Sequence, residues 1–239
     1  MREYFVLRHN LVSFICVWAL LPMMVYLLIS IPFSFYISLE NGINYLNWSS
    51  IGNWILTSSI LSYILSMHLS FSYRLAENSS KSYLYSSLSN SNHILAIGIW
   101  ASIMGFVQLI FSLLITLTLN SGNLFITDIL LIIIYILPII ILSSMIGVFV
   151  GLIFIDKILR VVASVILFLL LAFSSGLFVP LKAGISNIFL FSPVYLSVIN
   201  IQAIMSNEPS IIFASMIVLI ISIVIFFINL IISYKVLRS

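Results

Sequence analysis

In its 239 residues this chain carries 63% hydrophobic and only 6% charged side chains, with nine Lys and Arg against six Asp and Glu. A soluble domain uses about 25% charged residues to cover its surface, so the composition excludes a water-exposed globular fold and calls for an all-α integral membrane protein. The basic residues are scattered, leaving no patch for nucleic acid. The single cysteine, Cys16, excludes an intrachain disulfide.

Basic residues in 1–10 lead into a long apolar run with no small-residue cleavage pattern, which predicts an uncleaved first span at 11–31. Pro22 and Pro32 should kink or break it, because each removes a backbone donor and crowds the preceding turn. A polar loop at 40–50 follows, and Tyr45, Trp48 and Trp54 are placed for an interfacial aromatic belt. The second span, 51–73, carries Ser58, Ser62, Ser66 and Ser70 at four-residue spacing. This narrow stripe suits close helix packing; the alternative is the lining of a polar pathway.

The longest polar stretch, 74–93, precedes a third span at 94–119 and a turn at 120–123. The fourth span, 126–154, contains Pro138 and the small-residue series Ser143, Gly147, Gly151, which permits close backbone contact. Asp156, Lys157 and Arg160 form a charged turn whose four-residue spacing suits an Asp156–Arg160 ion pair. A fifth span at 161–178 leads into a punctuated apolar segment, and a last span occupies 211–234.

Whether 182–208 crosses the bilayer decides the topology. With six spans and a cytoplasmic N-terminus, eight basic residues lie inside (Arg2, Arg8, Arg74, Lys81, Lys157, Arg160, Lys235 and Arg238) and only Lys182 outside. A seventh crossing would reduce this to six against three. The positive-inside rule selects six spans with both termini cytoplasmic, leaving 181–205 as a re-entrant helical hairpin on the outer face, allowed where protein or a water-filled cavity covers its backbone.

Catalytic and nucleotide-binding patterns are missing. There is no phosphate-binding G-x-x-x-x-G-K-[ST] loop, no H-E-x-x-H and no His/Cys cluster at metal spacing, so no catalytic, cofactor or metal residue is assigned. His68 is the only ionisable side chain well inside a span, and is expected to be a hydrogen-bonded interior or near-interface histidine. An ATP-independent secondary transporter or channel would need it as its intramembrane titrating group. A peptide-binding immunity or assembly factor is a further alternative.

Six spans, a charged cytoplasmic segment after the second and a broken outer segment after the fifth resemble the ABC type-2 transporter permease family. Ser175-Gly176-Leu177-Phe178-Val179-Pro180 resembles that family's S/G-G-x-F-x-P element, and Phe191-Ser192-Pro193-Val194-Tyr195 its N/S-P-x-x-Y element. Asn78-Ser79 stands where the family usually has Gly-Thr. The short stretch before the first span has no room for the long interface helix of carbohydrate-exporting members, which argues against polysaccharide cargo. The resemblance implies a single permease domain over 1–239, in a bacterial plasma membrane, exporting an amphiphilic drug, lipid or peptide. It implies a cytoplasmic coupling loop at 74–93 that contacts a separate ATPase dimer through Arg74, Glu77 and Lys81. ATP would be held by that partner and no cofactor by this chain, which would pair with a second permease copy or paralogue. Ser175, Gly176, Pro180, Ser192, Pro193 and Tyr195 would form an outer gate, while Ser58, Ser62, Ser66, Gly147 and Gly151 serve helix packing.

Overall fold

The computed structural model describes residues 11–37, 45–79, 90–119, 126–178, 192–205 and 213–236. Its regular elements are all helical: α1 (Leu11–Val25), a π-helical turn (Tyr26–Ser30), α2 (Ile31–Ser34), α3 (Tyr45–Ser79), α4 (Asn90–Leu119), α5 (Ile126–Ile153), α6 (Lys157–Ser174), α7 (Pro193–Met205) and α8 (Phe213–Val236). Four stretches, Tyr45–Leu75, Ser91–Leu119, Thr127–Ile153 and Ser215–Lys235, are long and apolar enough to cross a membrane, and Trp18–Ser34 and Val194–Ile204 are shorter apolar helices. The protein is therefore an all-α membrane protein.

Contacts between helices define their directions. Ser62 of α3 donates to the Ile140 carbonyl of α5 at 3.1 Å, and further along Ser66 and Ser70 stand opposite Gly147 and Gly151. Position rises on both helices together, so α3 and α5 are parallel. Helix α4 is antiparallel to them: Trp54 pairs with Thr116, and Tyr73 stacks on His93 with ring centroids 5.1 Å apart. Helix α6 also opposes α3, since Phe71 meets Arg160, Tyr63 meets Ser164 and Tyr45 meets Phe178. In α8, Asn229 donates to the Met145 carbonyl at 2.9 Å. Val218 joins the main core, and Phe226 and Leu230 pack with Val148 and Leu152 further along, so α8 runs parallel to α5. The bundle has a Tyr45 end and an Arg74 end. All four basic residues among those described, Arg74, Lys157, Arg160 and Lys235, lie towards the Arg74 end.

The centre of the bundle is the α3–α4–α5 contact. A Cβ added to Gly105 of α4 would meet Ile140 of α5 at 2.7 Å, the Ser62 side chain at 2.8 Å and the Ser58 carbonyl of α3 at 3.0 Å, so three helices converge there. A Cβ at Gly147 would overlap the Ser66 hydroxyl and the Tyr63 carbonyl, and one at Gly151 the Ser70 hydroxyl and the Met67 carbonyl. Ser58, Ser62, Ser66 and Ser70 are fully buried. Their hydroxyls donate to helix carbonyls, Ser58 to Trp54, Ser66 to Tyr63 and Ser70 to Met67, so the stripe forms a helix-packing surface whose polar groups are met by backbone.

Several local expectations change. Helix α3 starts at Tyr45 and continues to Ser79, beyond the expected 51–73. Arg74 and Glu77 are thus on the helix. Tyr45 and Trp54 are buried at 4% and 1% exposure, because their polar atoms bond inside the bundle, so they are not part of an aromatic belt. Asp156 does not pair with Arg160; its carboxylate accepts the Ile158 amide at 3.0 Å and caps α6. Among the described residues His68 is exposed on α3 and not buried in the bundle interior.

Gly147→Ala should destabilise the protein by about 1–3 kcal/mol, the range for overpacking a filled core. Ser66→Ala in the same background should recover part of that loss by removing the overlapping oxygen. Thermal unfolding in detergent of the two single variants and the double variant measures the coupling.

Candidate functional site

Pro22 disrupts α1 at a position with two structural consequences. It has no amide hydrogen, so the Trp18 carbonyl four residues earlier loses its helical donor. Gln108 Nε2 of α4 supplies a replacement at 3.0 Å. Just beyond Pro22 the helix widens into the π turn, where the Ile31 amide reaches back five residues to the Tyr26 carbonyl. At that junction the Pro22 carbonyl accepts Asn53 Nδ2 of α3 at 2.9 Å. Gln108 and Asn53 are both fully buried. In a bilayer, freed backbone groups must be met by neighbouring helices. These two amides therefore tie the broken first helix to α3 and α4.

At the Tyr45 end the Ser175–Phe178 turn closes α6 against α3. Gly176 has φ 66°, a left-handed conformation favoured by glycine, and the Ser175 hydroxyl donates to the Leu171 carbonyl. Tyr45 Oη donates to the Phe178 carbonyl at 2.7 Å. Gly52 leaves room for the Leu177 carbonyl and the Phe178 ring, which would lie 2.7 and 2.9 Å from an added Cβ. Leu177 and Phe178 are buried and belong to the main core with Val194 and Val198 of α7. Ser192 precedes α7 and its carbonyl accepts the Leu196 amide at 3.2 Å, Pro193 is the first residue of α7, and Tyr195 is half-buried. The structure therefore brings Ser175 and Gly176 to the same end of the bundle as α7. Pro180 lies outside the described residues, as does the first half of the expected hairpin.

At the other end Arg74 closes the seam. Its Nη1 donates to the Leu152 carbonyl at 2.5 Å and the Ile153 carbonyl at 3.1 Å. These are terminal carbonyls of α5, left without intrahelical donors at a helix C-terminus, and a cation there also complements the helix dipole. Two residues of coil, Phe154 and Ile155, join this end to Asp156, the cap of α6. The Arg160 guanidinium stacks over Phe71 of α3, 3.2 Å from the ring centroid. Glu77 is in the last turn of α3, with its side chain outside the described residues, and Lys81 lies outside them too.

Arg74 and Gly52 are thus on one helix, 22 residues or about 33 Å apart at the usual rise. One end of α3 holds the α5–α6 turn, the other the Ser175–Phe178 turn. Sequence reasoning missed Tyr45, Gly52, Asn53, Phe71, Gln108 and Asn229 in these roles. A signal existed for the amides: a lone Asn or Gln in an apolar run needs a polar partner, and a proline inside a span supplies a free carbonyl.

Gln108→Leu should destabilise by about 1–3 kcal/mol, since it leaves a buried carbonyl without a donor. In a Pro22→Ala background the helix amide returns, and the same substitution should become milder. Unfolding of the four proteins of this cycle reads the difference.

No protein-family model matches this chain, and no curated protein and no solved structure matches it either, so the functional reading rests on the chain's own residues.

Proposed function

We propose that this chain is the transmembrane subunit of an ATP-driven exporter resembling the ABC type-2 permeases. The reading has six spans, both termini in the cytoplasm and α7 as the outward-returning half of an outer hairpin. The alternation of α1, α3, α4, α5, α6 and α8 supports the six spans. So do the lengths of the two helices not counted among the four long apolar ones. Helix α1 with its π turn and α2 runs 15, 5 and 4 residues, and α6 runs 18, near the roughly 20 needed to cross. Helix α7, at 13 residues, is too short. The basic residues at the Arg74 end support a cytoplasmic assignment of that end.

The observation that carries the mechanism is the continuity of α3. ATP binding and hydrolysis on a separate ATPase dimer would act on the 74–93 segment. Arg74 passes any displacement of that segment to the α5–α6 turn through two hydrogen bonds. The same helix carries Tyr45 and Gly52, against which the Ser175–Phe178 turn rests. A tilt of α3 thus reaches the outer turn without an intervening loop. Pairing with a second permease copy or paralogue would complete a translocation path for an amphiphilic cargo such as a drug, lipid or peptide.

Glu77→Arg combined with Lys81→Glu should abolish co-purification with the cognate ATPase and its stimulated ATP hydrolysis, while the permease still folds; undiminished complex formation and hydrolysis would reject the coupling assignment. Single cysteines introduced between 182 and 208 into a Cys16→Ser background should react only with impermeant reagent added outside. Labelling from the cytoplasmic side within that segment would refute the outer hairpin.

A further inference from the structure

Arg160 is held in place without having its donors met. Its guanidinium stacks on Phe71, 3.2 Å from the ring centroid, while its Nη1 is buried with no hydrogen-bond partner. Stacking engages the ring face and leaves the N–H groups unused. One turn along α3 from Phe71, Arg74 turns Nη1 onto the α5 carbonyls, yet its Nε is also buried without a partner. Lys157, one turn before Arg160 on α6, is exposed. The only acid among the described side chains of this corner is Asp156, whose Oδ1 accepts the Ile158 amide. Among the described side chains, three cations face one carboxylate.

The corner lies where the charge-free runs stop, at Arg74 on α3 and just past the end of α5 at Asp156. Around the cations, Ile155, Ile158, Leu159 and Val162 are exposed apolar side chains. The exposed Lys157 and the half-exposed Arg160, which offers a phosphate its guanidinium nitrogens other than the buried Nη1, stand beside an apolar surface at the end of the spans. This matches the chemistry of an anionic lipid, with a phosphate for the cations and acyl chains for the flank. An arginine fork bonds phosphate bidentately, and basic pockets between spanning helices take anionic head groups.

We propose that Arg74, Lys157 and Arg160 bind the phosphate of an anionic phospholipid from the leaflet at the Arg74 end, with Arg160 as its main ligand. The site needs no ATPase and no transport cycle, so it stands apart from the exporter reading.

Native mass spectrometry of the full-length protein with equal phosphatidylglycerol and phosphatidylcholine tests this. The wild type should retain phosphatidylglycerol preferentially and gain thermal stability from it. Arg160→Gln should lower the preference about five-fold, the effect of one basic group near the surface. Arg160→Lys should keep part of the preference, and Lys235→Gln, at the end of α8, all of it. No preference in the wild type, or an undiminished one in Arg160→Gln, would overturn the proposal. If Arg160→Gln does not fold, Lys157→Gln serves instead, and an unchanged preference there is equally fatal. Millimolar sodium phosphate stabilising the protein as well as phosphatidylglycerol would assign the corner to a free anion and overturn the lipid as occupant.

Discussion

The contact between α3 and α5 is the constraint on which the other helices depend. Lipid tails are as apolar as leucine, so apolar burial gives spanning helices little reason to associate with one another. Dispersion at short range and hydrogen bonds must do it instead. Gly147 and Gly151 let the α5 backbone approach Ser66 and Ser70 so closely that no Cβ would fit. At Ser62 the approach becomes an interhelical hydrogen bond to the Ile140 carbonyl. Gly105 brings α4 into the same contact. With these three helices fused, α1, α6, α7 and α8 have a fixed surface on which to pack.

A second constraint is the demand of backbone polar groups in a medium without water. Pro22 breaks α1, and the carbonyls of Trp18 and Pro22 find Gln108 and Asn53. The end of α5 has unmet carbonyls, and Arg74 supplies the donors. The last described residue after α6, Phe178, has its carbonyl met by Tyr45. Each of these polar side chains comes from a different helix than the carbonyl it serves. Satisfying the backbone and joining the helices are here one interaction.

The same economy shapes the proposed mechanism. Helix α3 carries Tyr45 and Gly52 near one end and Phe71 and Arg74 near the other, so both turns of α6 rest on one rigid element. Away from those contacts α6 exposes Val161, Val162, Val165, Ile166, Leu169 and Leu170, and its hold on the bundle is narrow. A helix fastened to α3 at its two ends, and at its middle through Tyr63 against Ser164 and Phe168, would move with α3 in the proposed mechanism.

Much of this was legible in the chain because a membrane simplifies the code. Charge-free runs mark the long apolar helices, since a charge at bilayer depth is costly. The serine stripe of 58–70 and the Gly147–Gly151 pair mark packing surfaces, because only small residues allow that approach. Which surface meets which was not legible: nothing local tells Ser66 that it faces Gly147 rather than another small residue. The extension of α3 to Tyr45 and Ser79 also depended on partners, Phe178 at one end and Leu152 at the other, more than 70 residues away in sequence. Spacing alone pointed Asp156 at Arg160, yet the nearer amide of Ile158 and the ring of Phe71 took them apart. The sequence by itself determined that the chain is helical and membrane-embedded, through its composition and periodicity. Only the tertiary structure decided where the lone amides, Arg74 and Tyr45 would bond, because their acceptors are carbonyls of segments distant in the chain.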